Sequence, residues 1–300
     1  MLPLFYRPPT STTSPLQRAG VHFDPRRHTS MKLQANRKFW FTIVLFIVAV
    51  MAFAFRSREA IHGALRFHPT SAAAETLSTL PPVMLWAWER PENLDFIDPR
   101  KVGVAFLAKT VYLRGDSVVA RPRLQPLKVP NDTKLVAVIR IESARAELPH
   151  LTTSQVETTA EEIATSAQMP NISGIQIDFD ATLSERNFYR QLLLIVRARL
   201  PVSMPLSMTA LASWCDGDNW LSDLAVDEAV PMLFRLGTER RQFVSHLQSG
   251  EKFRAPSCQG AAGVSTDEPL PIPPVERIYI FSPKSWSQIS LSDAMETYQK

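Results

Sequence analysis

Eight short apolar runs, spread through the chain from residue 83 onward, most limit how this sequence can fold. They are Val83–Trp88, Val102–Leu107, Leu135–Ile141, Gly174–Phe179, Leu206–Ala210, Ala229–Phe234, a weak Gly260–Val264 and Arg277–Phe281. Their length suits strands, and between several of them the spacing predicts helices, at Ser154–Ala167, Glu185–Leu200, Trp220–Ala225 and Glu239–Gln248, with Leu291–Tyr298 closing the chain. That alternation argues for βαβ units and a mainly parallel sheet. Eight strands within residues 82–300 fit a compact (β/α)8 TIM-like barrel. An open doubly wound sheet is the alternative, but the Gly-rich loop it usually carries after its first strand is replaced by Trp86-Ala87-Trp88-Glu89-Arg90-Pro91. Two units depart from the pattern. Residues 110–128 read as a hairpin excursion turning through Arg114-Gly115-Asp116-Ser117, and the seventh unit is degenerate, with proline-rich Pro269–Pro274 in place of a helix.

A different kind of segment precedes the first run. Phe39–Phe55 is seventeen residues with one hydroxyl and no charge, about 25 Å as a helix, the short end of what crosses a bilayer. A buried core helix usually keeps a polar stripe, and this segment has none. A cleaved signal peptide is the rival reading, since Ala52-Phe53-Ala54 has the small-x-small form of a cleavage site, yet the triplet lies inside the apolar block. The expectation is one transmembrane helix acting as a signal-anchor. Arg7, Arg18, Arg26, Arg27, Lys32, Arg37 and Lys38 precede it, and Arg56, Arg58 and Arg66 follow. The positive-inside bias then leaves residues 1–38 as a disordered cytoplasmic tail, whose true start is Met1 or Met31, at the bacterial inner membrane. The domain at 82–300 lies outside, periplasmic or extracellular. Residues 56–81 read as a linker.

The tail also accounts for the charge. Residues 1–38 hold seven of the 33 basic residues and one of the 29 acidic ones, leaving 26 against 28 beyond, a formal net of −2. The basic pI therefore describes the tail, and nucleic acid is not an expected partner of the domain. The two cysteines, Cys215 and Cys258, are 43 residues apart. In an oxidising space they suit a disulfide contributing at most about 4 kcal/mol on the chain-entropy view, with free buried thiols or a metal pair as alternatives.

The stretch that carries chemistry is Gly174-Ile175-Gln176-Ile177-Asp178-Phe179-Asp180. Strict alternation sets Ile175, Ile177 and Phe179 on one face and Gln176, Asp178 and Asp180 on the other. In a barrel strand the apolar set packs on the helices and the polar set points inward, with two carboxyls at the C-terminal mouth where barrel active sites lie. A solvated strand face, or Asp180 as a helix cap, is the plainer alternative.

This strand resembles that of the family-18 chitinases, which carry Asp-Gly-x-Asp-x-Asp-x-Glu on the fourth barrel strand with the final Glu as acid. Ser173, Gln176, Asp178 and Asp180 stand at the four acidic positions, and Gly174 matches the glycine. Where those enzymes have Met-x-Tyr-Asp on the sixth strand, this chain has Met232-Leu233-Phe234-Arg235, without the groups that hold an N-acetyl arm. From about Pro82 onward the chain resembles a bacterial family of anchored barrels known as domain of unknown function 3142, through Trp86–Arg90, the Gln-Ile-Asp-Phe-Asp strand and Pro231–Arg235. The resemblance implies a glycoside-hydrolase-like barrel that hydrolyses or binds an envelope or extracellular carbohydrate. The alternative is a carbohydrate-binding or scaffolding barrel without turnover.

Other strand-end residues suit a sugar-sized groove. Trp86 and Trp88 share a face of the first strand, while Trp214, Trp220 and Trp286 follow strands five and eight. Tryptophan offers a flat apolar face with an N–H to spare, though some of these five are expected to be core. Glu142 ends the third strand and Asp267-Glu268 follows the seventh. Asp180 as acid with Glu268 as nucleophile or base is the pairing to test, with separation deciding between retention and inversion. Arg140 and Arg235 either lower the carboxyl pKa values by neutralising Asp178 and Asp180, or bind an anionic sugar such as a uronic acid. No cofactor and no metal site is expected. His150 and His246 lie outside any ligand-spaced cluster, and there is no Gly-x-Ser-x-Gly elbow.

Overall fold

The computed structural model of the chain describes residues 70–217 and 219–298. The segment Phe39–Phe55, the basic tail and residues 56–69 of the linker lie outside them. Among the described residues no helix is long and apolar enough to cross a membrane.

All eight apolar runs are strands: β1 Val83–Ala87, β2 Val102–Arg114, β3 Leu135–Ser143, β4 Ile172–Asp178, β5 Leu206–Leu211, β6 Glu228–Met232, β7 Ala261–Ser265 and β8 Arg277–Phe281. Each pairs in parallel with its neighbour in sequence, and β1 pairs with both β2 and β8, which closes the ring. The open doubly wound alternative is thereby excluded. Outside the ring, β2 continues into the expected hairpin, pairing antiparallel with Ser117–Pro122 around Gly115 (φ 49°), a left-handed conformation that glycine adopts without strain.

Among the described residues six α-helices accompany the ring, α1 Ser71–Ser78, α2 Thr153–Ser166, α3 Arg186–Arg199, α4 Ala212–Asp216, α5 Arg240–Ser249 and α6 Gln288–Tyr298. α2 opens on a full capping box, with the Thr152 hydroxyl accepting from Gln155 N and the Gln155 side chain accepting from Thr152 N. Two sequence expectations need correction. The linker is not extended to residue 81: Ala72–Ala74 favour helix, Thr70 caps it by accepting from Ala73 N at 3.2 Å, and α1 results. The helix expected at Trp220–Ala225 is instead a 3-10 turn at Trp220–Asp223, preceded by the short α4, which no sustained apolar period announces. The seventh unit is indeed without a helix between β7 and β8, and so are the first and the second.

The alternation of the strands builds two separate apolar layers. Outward-facing Ile175, Ile177 and Phe179 join Phe188, Tyr189, Leu192 and Val196 of α3 in a core between barrel and helices. Inside the ring a second cluster contains Met84, Trp86, Val136, Val138, Val230 and Tyr279, closed at the N-terminal end by Leu80 with Leu77 packed against it. The seam between β6 and β7 is the thinnest, a single register pair of Met232 with Gly263. Pro231, next to that pair, has no N–H to give the ladder. Cys215 of α4 and Cys258 are joined in a disulfide with Cα atoms 6.0 Å apart, tying the β5–β6 connection to the β6–β7 connection as expected.

Candidate functional site

Four barrel-facing residues of β1, β4, β5 and β6 form a chain of buried polar groups below the mouth. Glu228, 3% exposed, accepts from Arg277 Nη1 at 2.6 Å, from the Tyr279 hydroxyl at 2.9 Å and from Ser207 Oγ at 3.2 Å. Above it, Gln176 Nε2 donates to Ser207 Oγ at 3.2 Å and Gln176 Oε1 accepts from Trp86 Nε1 at 2.8 Å. Gln176 is fully buried, so its role is to orient Trp86 from beneath rather than to meet a ligand. The Trp86 ring lies across Gly263, where an added Cβ would come within 2.8 Å of its Cη2 atom.

At the mouth the barrel opens into a cavity of about 680 Å³. One wall is aromatic: Trp86, Trp88, Phe234 and Phe281, with Phe234 and Phe281 stacked at 5.7 Å and Trp88 edge-on to Phe281 at 6.4 Å. The facing wall carries Asp178, Asp180, Arg140 and Thr209. A second cavity of about 710 Å³ shares Arg140, Asp178 and Asp180 and continues past Glu142, Arg145 and Glu185. The two aspartates therefore stand on the ridge between two connected hollows.

Asp178 Oδ1 accepts from Thr209 Oγ1 at 2.8 Å. Burial pushes its carboxyl up to about 6; the Thr209 hydrogen bond and Arg140 pull the other way, while Asp180 and Glu142 add to the rise. Asp180 is further out, and desolvation raises its carboxyl too, against the pull of Arg140. Arg140 thus pulls both acids down, as expected of an arginine here, but desolvation outweighs it and the net shift is upward. Arg140 is engaged elsewhere, bonded to Glu142 at 2.7 Å and lying over the Trp88 ring at 5.6 Å. Arg235 pairs with Asp267 at 2.9 Å and with Glu268, and its backbone N–H donates to Glu268 Oε2 at 3.0 Å. Those bonds hold Arg235 in a left-handed conformation (φ 57°), uncommon for a side chain of its size.

The expected residues thus divide. Trp86, Trp88, Arg140, Asp178, Asp180 and Arg235 meet in the first cavity, and Glu142 lines the second. Glu268 does not line either; it is the counter-ion of Arg235 and Arg240. Trp214 is 5% exposed and packs edge-on to Trp220 at 5.0 Å, beneath Arg186, while Trp286 is buried and donates to the Trp86 carbonyl at 3.2 Å. Their large apolar surface is used in packing, not at the mouth. Thr209, Ser213 and Phe281 also line the first cavity, beyond the residues expected from the sequence. Strand parity carried to the ends of β5 and β8 is the signal that points to the first and last. Among the described residues no cluster of three or more His, Cys, Asp or Glu side chains could hold a metal ion.

Fold and site together define a closed eight-stranded parallel barrel with an acid pair facing an aromatic wall at its C-terminal mouth. Residues 131–237 match the family model described as Domain of unknown function (DUF3142), the family resembled through the β4 strand and Pro231–Arg235. No curated protein matches the sequence. Among solved structures, the chitinase domain of the spore coat protein CotE from Clostridium difficile is similar at 14% identity, over 71% of this chain and 68% of that one, with a TM-score of 0.34. At that level the likeness carries no argument about this chain's activity.

Proposed function

We propose that this protein is a glycoside-hydrolase-like barrel, held at the outer face of a bacterial inner membrane by Phe39–Phe55, that binds and cleaves a carbohydrate at the mouth of its barrel. The observation carrying the reading is the ridge of Asp178 and Asp180, two carboxyls raised by desolvation, set opposite Trp88, Phe234 and Phe281. Flat aromatic faces suit the C–H side of a pyranose ring, and carboxyls raised by desolvation suit proton exchange with a leaving oxygen and an attacking water. In this reading Asp180, the more accessible, protonates the glycosidic oxygen as its bond to the anomeric carbon breaks. Water adds at that carbon, and its proton passes to the ionised carboxylate of Asp178. The Cys215–Cys258 disulfide supports an oxidising compartment. The second reading, binding without turnover, is favoured by one observation: Glu268, the sequence's candidate for nucleophile or base, is committed to Arg235.

The test is turnover by the full-length chain, purified in detergent, on polysaccharides and oligosaccharides of the bacterial envelope, read as new reducing ends. Asp180→Asn should lower the rate by about 100-fold or more. Equal rates in the two proteins would remove Asp180 as the acid, and glycan binding without turnover in either would favour the second reading.

A further inference from the structure

The charges around the mouth decide which carbohydrates fit. Each arginine lining the first cavity is already neutralised: Arg140 by Glu142 at 2.7 Å, and Arg235 by Asp267 and Glu268. Two of the neutral donors are similarly occupied, since Trp86 Nε1 gives its proton to Gln176 and Thr209 Oγ1 gives its own to Asp178, which leaves Trp88 Nε1 and Ser213 Oγ for saccharide hydroxyls. The charged groups the cavity leaves open are acceptors. Asp178 keeps a second carboxyl oxygen and Asp180 has no hydrogen-bond or ion-pair partner among the described residues. A uronic acid would bring a further negative charge to the first cavity and find no unpaired cation among the described residues lining it; Arg145 stands in the second.

The aromatic wall points the same way. Arg140 lies 5.6 Å from the centre of the Trp88 ring, so a ring of this wall already accepts a cation. Phe234 and Phe281 add two more ring faces without a polar atom, opposite the unpaired carboxyls. An alkylammonium between them would donate hydrogen bonds to Asp178 and Asp180 and sit against the rings. It would also offset the desolvation of Asp178, the carboxylate that takes the water's proton, for an added cation favours the ionised form.

We infer that the saccharide bound at this mouth carries free, unacetylated amino groups, so that a hexosamine unit places its ammonium between Asp178, Asp180 and the aromatic wall. This rests on the carbohydrate reading given above and narrows it. The second cavity, sharing the two aspartates and continuing past Glu142, Arg145 and Glu185, gives a chain of such units room on the far side of the ridge.

The experiment is calorimetric titration of the full-length chain in detergent with four probes: the glucosamine tetramer, the N-acetylglucosamine tetramer, a galacturonate tetramer and spermine. The glucosamine tetramer should bind at least tenfold more tightly than each of the other three, and Asp180→Asn should reduce that preference at least fivefold. Equal binding of the two hexosamine tetramers, or preference for galacturonate, would overturn the inference and leave the carbohydrate reading standing. Spermine binding as tightly as the glucosamine tetramer would overturn it as mere charge attraction. Failure to bind any saccharide would remove both readings together.

Discussion

The barrel holds two interior carboxyls at different depths, and their surroundings are opposite. At the floor, Glu228 is wrapped by Arg277, Tyr279 and Ser207, and Arg277 is pinned in turn to the Leu77 carbonyl of α1 at 2.6 Å. At the mouth, Asp178 has a single hydrogen bond from Thr209, and its carboxyl is pushed to about 6. Both side chains project inward from barrel strands. One is fully paired and closes the structure; the other is left short of partners, and that shortage is what makes it available to a ligand. An unsatisfied, desolvated acid costs stability, so the contrast is between a residue serving the fold and one maintained at the fold's expense.

The largest expected effect would break the floor. Glu228→Gln keeps the shape and removes the charge, leaving Arg277 buried without a counter-ion, and should cost about 3–5 kcal/mol in denaturant unfolding of the protein. The mouth should answer with the opposite sign. Because the Asp178 carboxyl is raised in the folded state, the folded protein holds its proton more tightly than the unfolded chain. Stability is therefore lost as pH rises from about 4 to about 6 and is not regained above. Asp178→Asn should then stabilise the protein by about 2–3 kcal/mol at pH 7 and by almost nothing at pH 3.5, while abolishing turnover. A gain that persists unchanged at pH 3.5 would mean that the carboxyl is not the source.

A smaller effect tests the link between the two levels. Gln176→Leu leaves Trp86 Nε1 and Ser207 Oγ without their partner, at about 1–3 kcal/mol, and should weaken saccharide binding through a misplaced Trp86. Unchanged indole fluorescence and unchanged affinity in that variant would show that Gly263 and Tyr279 hold the ring without help.

Much of this architecture is legible in local pattern. Short apolar runs locate all eight strands, and in β4 period-two alternation separates the outward Ile175, Ile177 and Phe179 from the inward Gln176 and Asp178. Alternation states only which way a side chain points, however, not how far along the barrel axis it lies or what stands opposite. That is why Gln176 and Asp178, two residues apart on one strand, are indistinguishable in sequence as a support and a site residue. It is also why Glu268 and Trp214 have the sequence pattern of site residues: each follows a strand, but one meets Arg235, 33 residues away, and the other packs on Trp220 and under Arg186.

The sequence by itself determined the strand count, the parallel class, the seventh unit without a helix, the cysteine pair and the acid-bearing strand, because each depends on residue type at short spacing. Only the tertiary structure decided that the ring closes through β1 and β8, that α1 seals its floor, and that Arg140 and Arg235 are already spent on other carboxylates. Those outcomes depend on which groups meet in a desolvated space, many of them far apart along the chain, where the balance of partners, not the identity of any one residue, sets charge and availability.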